Sequence, residues 1–148
     1  MSIDGLPYVD EHAITIAASH EQAWTALQRY ASASLRIADR HPLAKLLGTQ
    51  PRAGFEIVQV EPGRGLTLEG RHRFSRYRLT FTLADGPAGT TQLRAATYAA
   101  FPGIRGQVYR ALVIGSRAHR IAVRHMLRSV RRLAVNHARG ESGTGSRR

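Results

Sequence analysis

The chain has 148 residues, of which 43 % are hydrophobic, which is enough for one compact core and too few for two. It contains no cysteine, and this excludes disulfide bonds, thiolate metal ligands and a cysteine nucleophile. The formal net charge is +12, from 22 Lys and Arg against 10 Asp and Glu. Only one of these 22 basic residues, Lys45, is a lysine, and the others are arginines. A GC-rich coding sequence would place such an excess of arginine on any solvated surface, so the charge alone does not indicate a polyanionic partner. Because no apolar stretch reaches about twenty residues and the first residues lack a secretory signal, we expect a cytoplasmic protein.

The first predicted elements are a strand and a helix. Residues 11–18 alternate in the manner of a short strand. Ser19, followed three residues later by Gln22, matches a capping box and predicts that a helix begins there. Between residues 34 and 50 the pattern weakens into short helical pieces, which makes this segment a candidate lid. The helix should pack through one apolar face, formed by Trp24, Leu27 and Ala31.

A sheet is predicted between residues 55 and 101, where the hydrophobic period changes to two. Turn signals divide this stretch into a four-stranded antiparallel meander. A two-residue turn at 74–75 would place His72 opposite Tyr77 in the central hairpin. The opposite face then collects arginine, glutamate and threonine, which belong in water. The face predicted to line the core contains Leu66, Leu68, Gly70, Leu79, Phe81, Leu83, Leu93, Ala95, Thr97 and Ala99.

The last predicted element is a long helix from Arg105 to His137, with arginines on the side opposite its apolar residues. Gly115 within it predicts a bend or a close approach, because glycine weakens a helix interior by about 1 kcal/mol relative to alanine. Residues 1–137 are expected to form one domain, and residues 138–148 a disordered basic tail. The predicted apolar face of the helix contains Ile104, Val108, Leu112, Gly115, His119, Ala122, Met126, Val130 and Leu133.

The order of these elements resembles the START-like or SRPBCC superfamily. Residues 14–24, Ile-Thr-Ile-Ala-Ala-Ser-His-Glu-Gln-Ala-Trp, resemble its first strand, small-residue turn and Trp-bearing helix, and residues 70–81 resemble its central hairpin. The likeness is greatest to uncharacterised bacterial members labelled as polyketide cyclase or dehydrase. It implies an α+β helix-grip fold, in which a curved antiparallel sheet wraps around a long C-terminal helix, and a cavity between the two.

The composition of the predicted concave face supports such a cavity. Gly70, Ala95, Thr97 and Ala99 are small where a solid core would need bulk, although they could instead only let the helix approach closely. We therefore predict binding of a hydrophobic or amphipathic small molecule, a lipid or a polyketide-like compound, between the sheet and the C-terminal helix. The residues predicted to line this site are Leu68, His72, Tyr77, Phe81, Thr97, Phe101, Val108, Leu112 and His119.

Two other functions stay open. His72 or His119 could serve as a general acid or base in a cyclase or dehydratase, although a lone histidine on an apolar face is commonly a satisfied buried group. No carboxylate is clearly placed to orient either ring, so no catalytic residue is assigned. The arginine-rich surface predicts weak, non-specific contact with anionic membrane or nucleic acid, because Tyr98 is the one aromatic on the outward sheet face.

Cofactors are not expected from the sequence. The seven histidines lack the spacing of metal ligands, and no glycine-rich phosphate loop follows a strand. The sequence therefore predicts neither a metal site nor a nucleotide site.

Overall fold

The computed structural model describes residues 5–39, 55–72, 75–113 and 117–144. The five strands form one antiparallel sheet in the order β1-β5-β4-β3-β2, and a long helix ends the described chain, so the predicted α+β helix-grip fold is confirmed. No helix within these ranges is long and apolar enough to cross a membrane. In chain order the elements are β1 (Tyr8–Ile16), α1 (His20–Asp39), β2 (Glu56–Glu61), β3 (Gly65–His72), β4 (Ser75–Asp85), a 3₁₀ turn (Pro87–Gly89), β5 (Thr91–Ala100), α2 (Gly103–Val113) and α3 (Ala118–Thr144).

The capping box at the start of α1 is confirmed. The backbone N–H of Gln22 donates to Ser19 Oγ over 3.2 Å, and the backbone N–H of Ser19 donates to Gln22 Oε1 over 3.0 Å. Leu27 and Ala31 are fully buried, as the apolar face of this helix requires. Residues 34–39 are helical, as the sequence predicts, and they continue α1 instead of forming a separate short piece. The rest of the candidate lid lies outside the described residues.

The register of the central hairpin differs from the predicted one by two residues. Gly70 pairs with Tyr77, and His72 pairs with Ser75, because the turn falls one residue earlier than the sequence suggested. Side chains alternate with a period of two, so a shift of two residues leaves every side chain on its predicted face. The predicted faces are therefore right although the predicted pairs are wrong.

One continuous core lies between the concave face of the sheet and helices α1 and α3. Phe81, Ile16 and Leu93 are the largest sheet residues that are completely enclosed in it. The outer face of the sheet is less solvated than predicted. Thr67 is buried there, and Arg78 forms an ion pair with Glu69 across the β3–β4 hairpin.

The single long helix predicted from Arg105 onward is wrong, because the structure contains two helices. α2 ends at Val113, and α3 starts only at Ala118. Arg117 has a φ of 63°, a left-handed conformation that cannot continue a right-handed helix. On α2, Ile104 is 87 % exposed and Val108 is 57 % exposed, so their predicted burial is also wrong. Gly115 lies outside the described residues.

The buried side of α3 is rotated from the predicted one. Ala122 and Leu133 are exposed, and Met126 is only half-buried. The predicted face was counted continuously across the break between the two helices. Each residue of a helix turns the chain by about 100°, so a break changes which residues share a face. The predicted arginine face is exposed at every described position. The residues that α3 buries are Val123, Leu127, Val130 and Ala134.

Helix α3 extends beyond His137, where the sequence predicted the last helix to end. Residues 138–144 belong to the helix and not to a disordered tail, which corrects that prediction. The Gln22 side chain of α1 donates to the Glu141 carboxylate, and Ala138 packs against the core. These contacts with α1 and with the core hold the last residues of the helix in place. They cannot be predicted from the periodicity of the tail alone.

His20 connects the start of α1 to the β2–β3 turn and to the end of β4. Its Nδ1 lies 2.8 Å from Asp85 Oδ1, and its Nε2 donates to the carbonyl oxygen of Gly63. The hydrogen bond to the Gly63 carbonyl, and then that to Asp85, raise the pKa of His20, because two acceptors favour the ring with both nitrogens protonated.

We expect the stabilising effect of His20 to depend on pH. Since its pKa is higher in the folded chain than the unfolded value of about 6.5, the contribution is complete below about pH 6.5 and disappears as the pH rises through the folded-state pKa. His20→Asn should therefore lower the Tm more at about pH 6 than at about pH 9. His125→Asn, on the exposed side of α3, is the matched control and should show no such trend. Equal losses at both pH values would contradict this assignment.

Candidate functional site

Two polar side chains of β1 point toward the core side of the sheet. Asp10 and His12 alternate with exposed residues, on the same face as the buried Ile16. The register places Asp10 opposite Thr97 and His12 opposite Ala95 on the neighbouring β5. A carboxylate and an imidazole therefore lie beside the small residues of the concave face.

His119, in the first turn of α3, completes a cluster with these two residues. Asp10 Oδ1 accepts a hydrogen bond from His119 Nε2 over 3.1 Å, and Asp10 Oδ2 accepts one from His12 Nε2, also over 3.1 Å. The side chains are 22 % exposed for Asp10 and 15 % for each histidine. We call Asp10, His12 and His119 the Asp10–His cluster. It joins β1 to α3 across the concave face.

The electrostatics of the cluster determine which ring nitrogens carry hydrogen. Burial alone would raise the pKa of Asp10, but the hydrogen bond and charge of His119, together with those of His12, outweigh it and lower that pKa. An ionised carboxylate only accepts hydrogen bonds, so each Nε2 must carry a hydrogen. Each Nδ1 is then free to accept a proton or, once protonated, to donate. Among the described residues neither Nδ1 has a protein partner.

Two buried hydroxyl groups on the same face also lack partners. Thr97 is 5 % exposed and Ser75 is 3 % exposed, and neither Thr97 Oγ1 nor Ser75 Oγ has a hydrogen-bond partner within the described ranges. An unpaired buried hydroxyl costs about 1–3 kcal/mol. By contrast, the buried Thr91 donates to the Ala18 carbonyl oxygen over 3.0 Å. The hydroxyls of Thr97 and Ser75 are therefore the buried groups on this face that a bound ligand could pair with.

Small and aromatic residues separate the two hydroxyls. Thr97 is opposite Leu79, and Ser75 is four residues before Leu79 in β4, so the hydroxyls lie roughly 14 Å apart along the strands at about 3.4 Å per residue. The Tyr77 ring between them is half-buried and meets Phe55 edge to face, with ring centroids 4.7 Å apart. We call this region the concave-end site. It consists of the Asp10–His cluster with Gly70, Ser75, Tyr77, Thr97 and Ala99.

The residues predicted from sequence are only partly brought together. Tyr77, Thr97 and His119 lie in or beside the concave-end site. Leu68 and Phe81 are enclosed in the core cluster. Phe101, directly after β5, is half-buried, and Val108 is 57 % exposed on α2. The side chains of His72 and Leu112 lie outside the described residues.

Sequence reasoning missed Asp10, His12 and Ser75. The expectation that no carboxylate orients a histidine is wrong, because Asp10 orients two of them. A signal was present in β1. The alternation that puts Ile14 and Ile16 on one face also puts His12 there, and continuing it backward past residue 11 would have added Asp10.

A separate cavity of about 880 Å³ opens on the outer face of the sheet, beside β2, β3 and β4. Its polar walls are internally paired. The Thr67 and Thr80 hydroxyl oxygens are 3.3 Å apart, and Arg78 binds Glu69. The concave-end site differs from it in having buried hydroxyls that pair with none of the described residues, and it is therefore the better candidate for ligand recognition.

Metal ligation finds no support in the described ranges, where no three His, Cys, Asp or Glu side chains are placed to hold an ion. In the Asp10–His cluster both Nε2 atoms point at the carboxylate. The chemistry open to this cluster is hydrogen bonding and proton transfer.

Known structures of low sequence identity share this fold. A conserved protein from Geobacillus kaustophilus matches with a TM-score of 0.58 at 12 % identity, over 85 % of this chain and 94 % of that chain. A protein from Thermus thermophilus matches with a TM-score of 0.51 at 14 % identity, over 88 % and 99 % of the two chains. No protein-family model and no curated protein matches the sequence.

A third similar structure is the di-domain ARO/CYC StfQ from the steffimycin biosynthetic pathway. It matches with a TM-score of 0.56 at 14 % identity, over 87 % of this chain and 51 % of that chain, so this chain spans about half of that protein. At such identities the similarity establishes the fold alone. The chain has the α+β helix-grip fold that its sequence resemblance implied.

Proposed function

We propose that this protein binds an amphipathic small molecule in the concave-end site. The observation that carries the proposal is the pair of buried hydroxyls, Thr97 and Ser75, which have no partner among the described residues and lie on the face that also holds the Asp10–His cluster. The polar groups of the ligand would pair with these hydroxyls and with the imidazoles. Its apolar body would lie over Ala99 and against the Tyr77 ring.

The mixture of groups favours an amphipathic ligand over a purely aliphatic one. A fatty acyl chain would leave the hydroxyls unpaired along the length of the site, whereas a hydroxylated or carbonyl-bearing ring system can pair at both ends. The fold shared with a protein described as an ARO/CYC from a biosynthetic pathway is in keeping with a polyketide-like ligand. Both arguments support the same class of molecule.

The second candidate is an enzyme of the cyclase or dehydratase kind. The hydrogen bond between Asp10 and His119 favours it, because a carboxylate behind an imidazole fixes the tautomer and increases the basicity of the other nitrogen. His119 rather than His72 would then be the general base. The two candidates are separated by His119→Gln, which should abolish turnover in an enzyme while a pure binding protein has no turnover to lose.

The test of binding combines native mass spectrometry with a pair of substitutions in β5. Protein purified gently from its host, and protein mixed with a fatty acid, a sterol or a hydroxylated anthraquinone, should show bound mass for at least one compound. Ala99→Leu adds bulk at a buried position of the concave-end site and should weaken that binding by about tenfold or more. Ala96→Leu, on the outer face of the same strand, is the control and should bind like the unaltered protein.

Folding of both variants is checked by circular dichroism. If Ala99→Leu is folded and binds as tightly as the control, the ligand lies elsewhere and the proposed site is wrong. If Ala99→Leu does not fold, Thr97→Val provides the same test, because it removes one recognising hydroxyl with little change of shape. A protein that is empty from its host and binds none of the panel would contradict the proposed function itself.

A further inference from the structure

We propose that the ligand of the concave-end site carries an acidic hydroxyl, an enol or a phenol, and that the site binds it as the anion. This inference rests on the proposed function and specifies the chemistry of its ligand. The bound oxygen would lie between an imidazole Nδ1 of the Asp10–His cluster and the hydroxyl of Thr97. Thr97 is the residue paired with Asp10 across the β1–β5 ladder, so these groups belong to one locality.

The first argument comes from the hydrogen-bonding capacity of the cluster. Both Nε2 atoms are used by Asp10, so the rings can reach a ligand only through Nδ1. In a neutral ring Nδ1 is an acceptor and requires a hydrogen from the ligand, which a hydroxyl supplies and an ether or a hydrocarbon does not. The Thr97 hydroxyl, without a partner among the described residues, can donate to the same ligand oxygen.

The second argument comes from charge. With one histidine protonated, the cluster has no net charge, because the imidazolium balances the carboxylate. When the hydroxyl proton of a ligand moves to Nδ1 of the other ring, the ligand oxygen becomes negative and that ring becomes positive, so the site as a whole stays neutral. No proton is gained or lost in this step. A partly buried site tolerates such a balanced arrangement better than a net charge.

The third argument comes from the titratable groups that the described part of the chain places on this face. The titratable groups on this face are Asp10 and His12 from β1, Tyr77 from β4 and His119 from α3. β5 presents only alanines and Thr97 there. Asp10 stays ionised, because its pKa is lowered, so both rings face a negative carboxylate.

The test uses 4-nitrophenol, which absorbs visible light as its anion, and 4-nitroanisole, its methyl ether without the acidic hydrogen. In the presence of excess protein the ionisation midpoint of 4-nitrophenol should fall by about one pH unit or more, which corresponds to about tenfold tighter binding of the anion. 4-Nitroanisole should bind about tenfold more weakly at about pH 7. Asp10→Asn should abolish the shift of the midpoint. Asp85→Asn, which alters the other Asp–His pair of the fold, should retain it.

The net charge of +12 attracts anions in general, so Ala99→Leu serves as the control for surface binding. A midpoint shift that persists in folded Ala99→Leu, or in Asp10→Asn, would overturn the inference. Equal binding of the two probes without a shift would also overturn it while leaving the proposed function intact, provided that Ala99→Leu blocks both. If neither probe binds, the inference fails. The mass-spectrometry panel then decides the proposed function separately.

Discussion

Leu127→Ala should lower the free energy of unfolding by about 2–5 kcal/mol, whereas Leu133→Ala should lower it by less than about 1 kcal/mol. Leu127 is 2 % exposed and belongs to the core, so its truncation leaves a cavity between α3 and the sheet. Leu133 is 42 % exposed on the same helix. The two substitutions are chemically identical, so their difference reports the face that α3 buries.

The measurement is urea denaturation of both variants, with the slope of the transition compared to detect changes in the unfolded state. An equal loss in the two variants, or a larger loss at Leu133, would indicate the helix face predicted from the sequence alone. It would also place the N-terminal turn of α3 differently, and with it the position of His119 beside Asp10. The experiment therefore tests the frame on which the Asp10–His cluster depends.

The fold could be predicted because its evidence is local and repeated. The strands of the central hairpin alternate so regularly that a turn placed one residue late still left each side chain on the correct face. The capping box likewise predicted the start of α1 from two residues, Ser19 and Gln22, that lie three positions apart. In both cases the interaction that sets the structure lies between residues that are close in sequence.

The C-terminal helices were harder to predict because helical phase accumulates. Once the chain turns at Arg117, an apolar pattern counted from Val108 no longer indicates which side of α3 faces the sheet. The exposure of Leu133 and the burial of Leu127 follow from this break. A break of this kind depends on tertiary packing. The hydrophobic periodicity on either side of it does not indicate the angle between the two helices.

The candidate site was the least predictable part. Asp10 and His119 are 109 positions apart in the sequence, and their contact depends on β1 pairing with β5 and on where α3 begins. Periodicity could identify His119 as a residue of interest but could not supply its carboxylate partner. The missing partners of Thr97 and Ser75 are likewise visible only when burial and hydrogen bonding are known for the surrounding strands.

Thr97→Val should stabilise the protein by about 1–2 kcal/mol and at the same time weaken ligand binding. The hydroxyl of Thr97 is buried without a described partner, so replacing it by a methyl group of similar shape removes an unpaired polar atom. The same replacement at Thr91, on the same face of β5, removes a hydroxyl that donates to the Ala18 carbonyl oxygen. Thr91→Val should therefore destabilise the protein by about 1–3 kcal/mol.

The opposite signs of these two effects are what make the pair informative. Both residues are buried threonines of one strand, so differences in β propensity and side-chain entropy largely cancel. Thermal and urea unfolding of the two variants would measure the stabilities, and binding of 4-nitrophenol would measure recognition. If Thr97→Val is destabilised as much as Thr91→Val, the Thr97 hydroxyl already has a partner in the free protein. The Thr97 hydroxyl would then stabilise the free protein through that partner, and it could not be the group that hydrogen-bonds to the ligand.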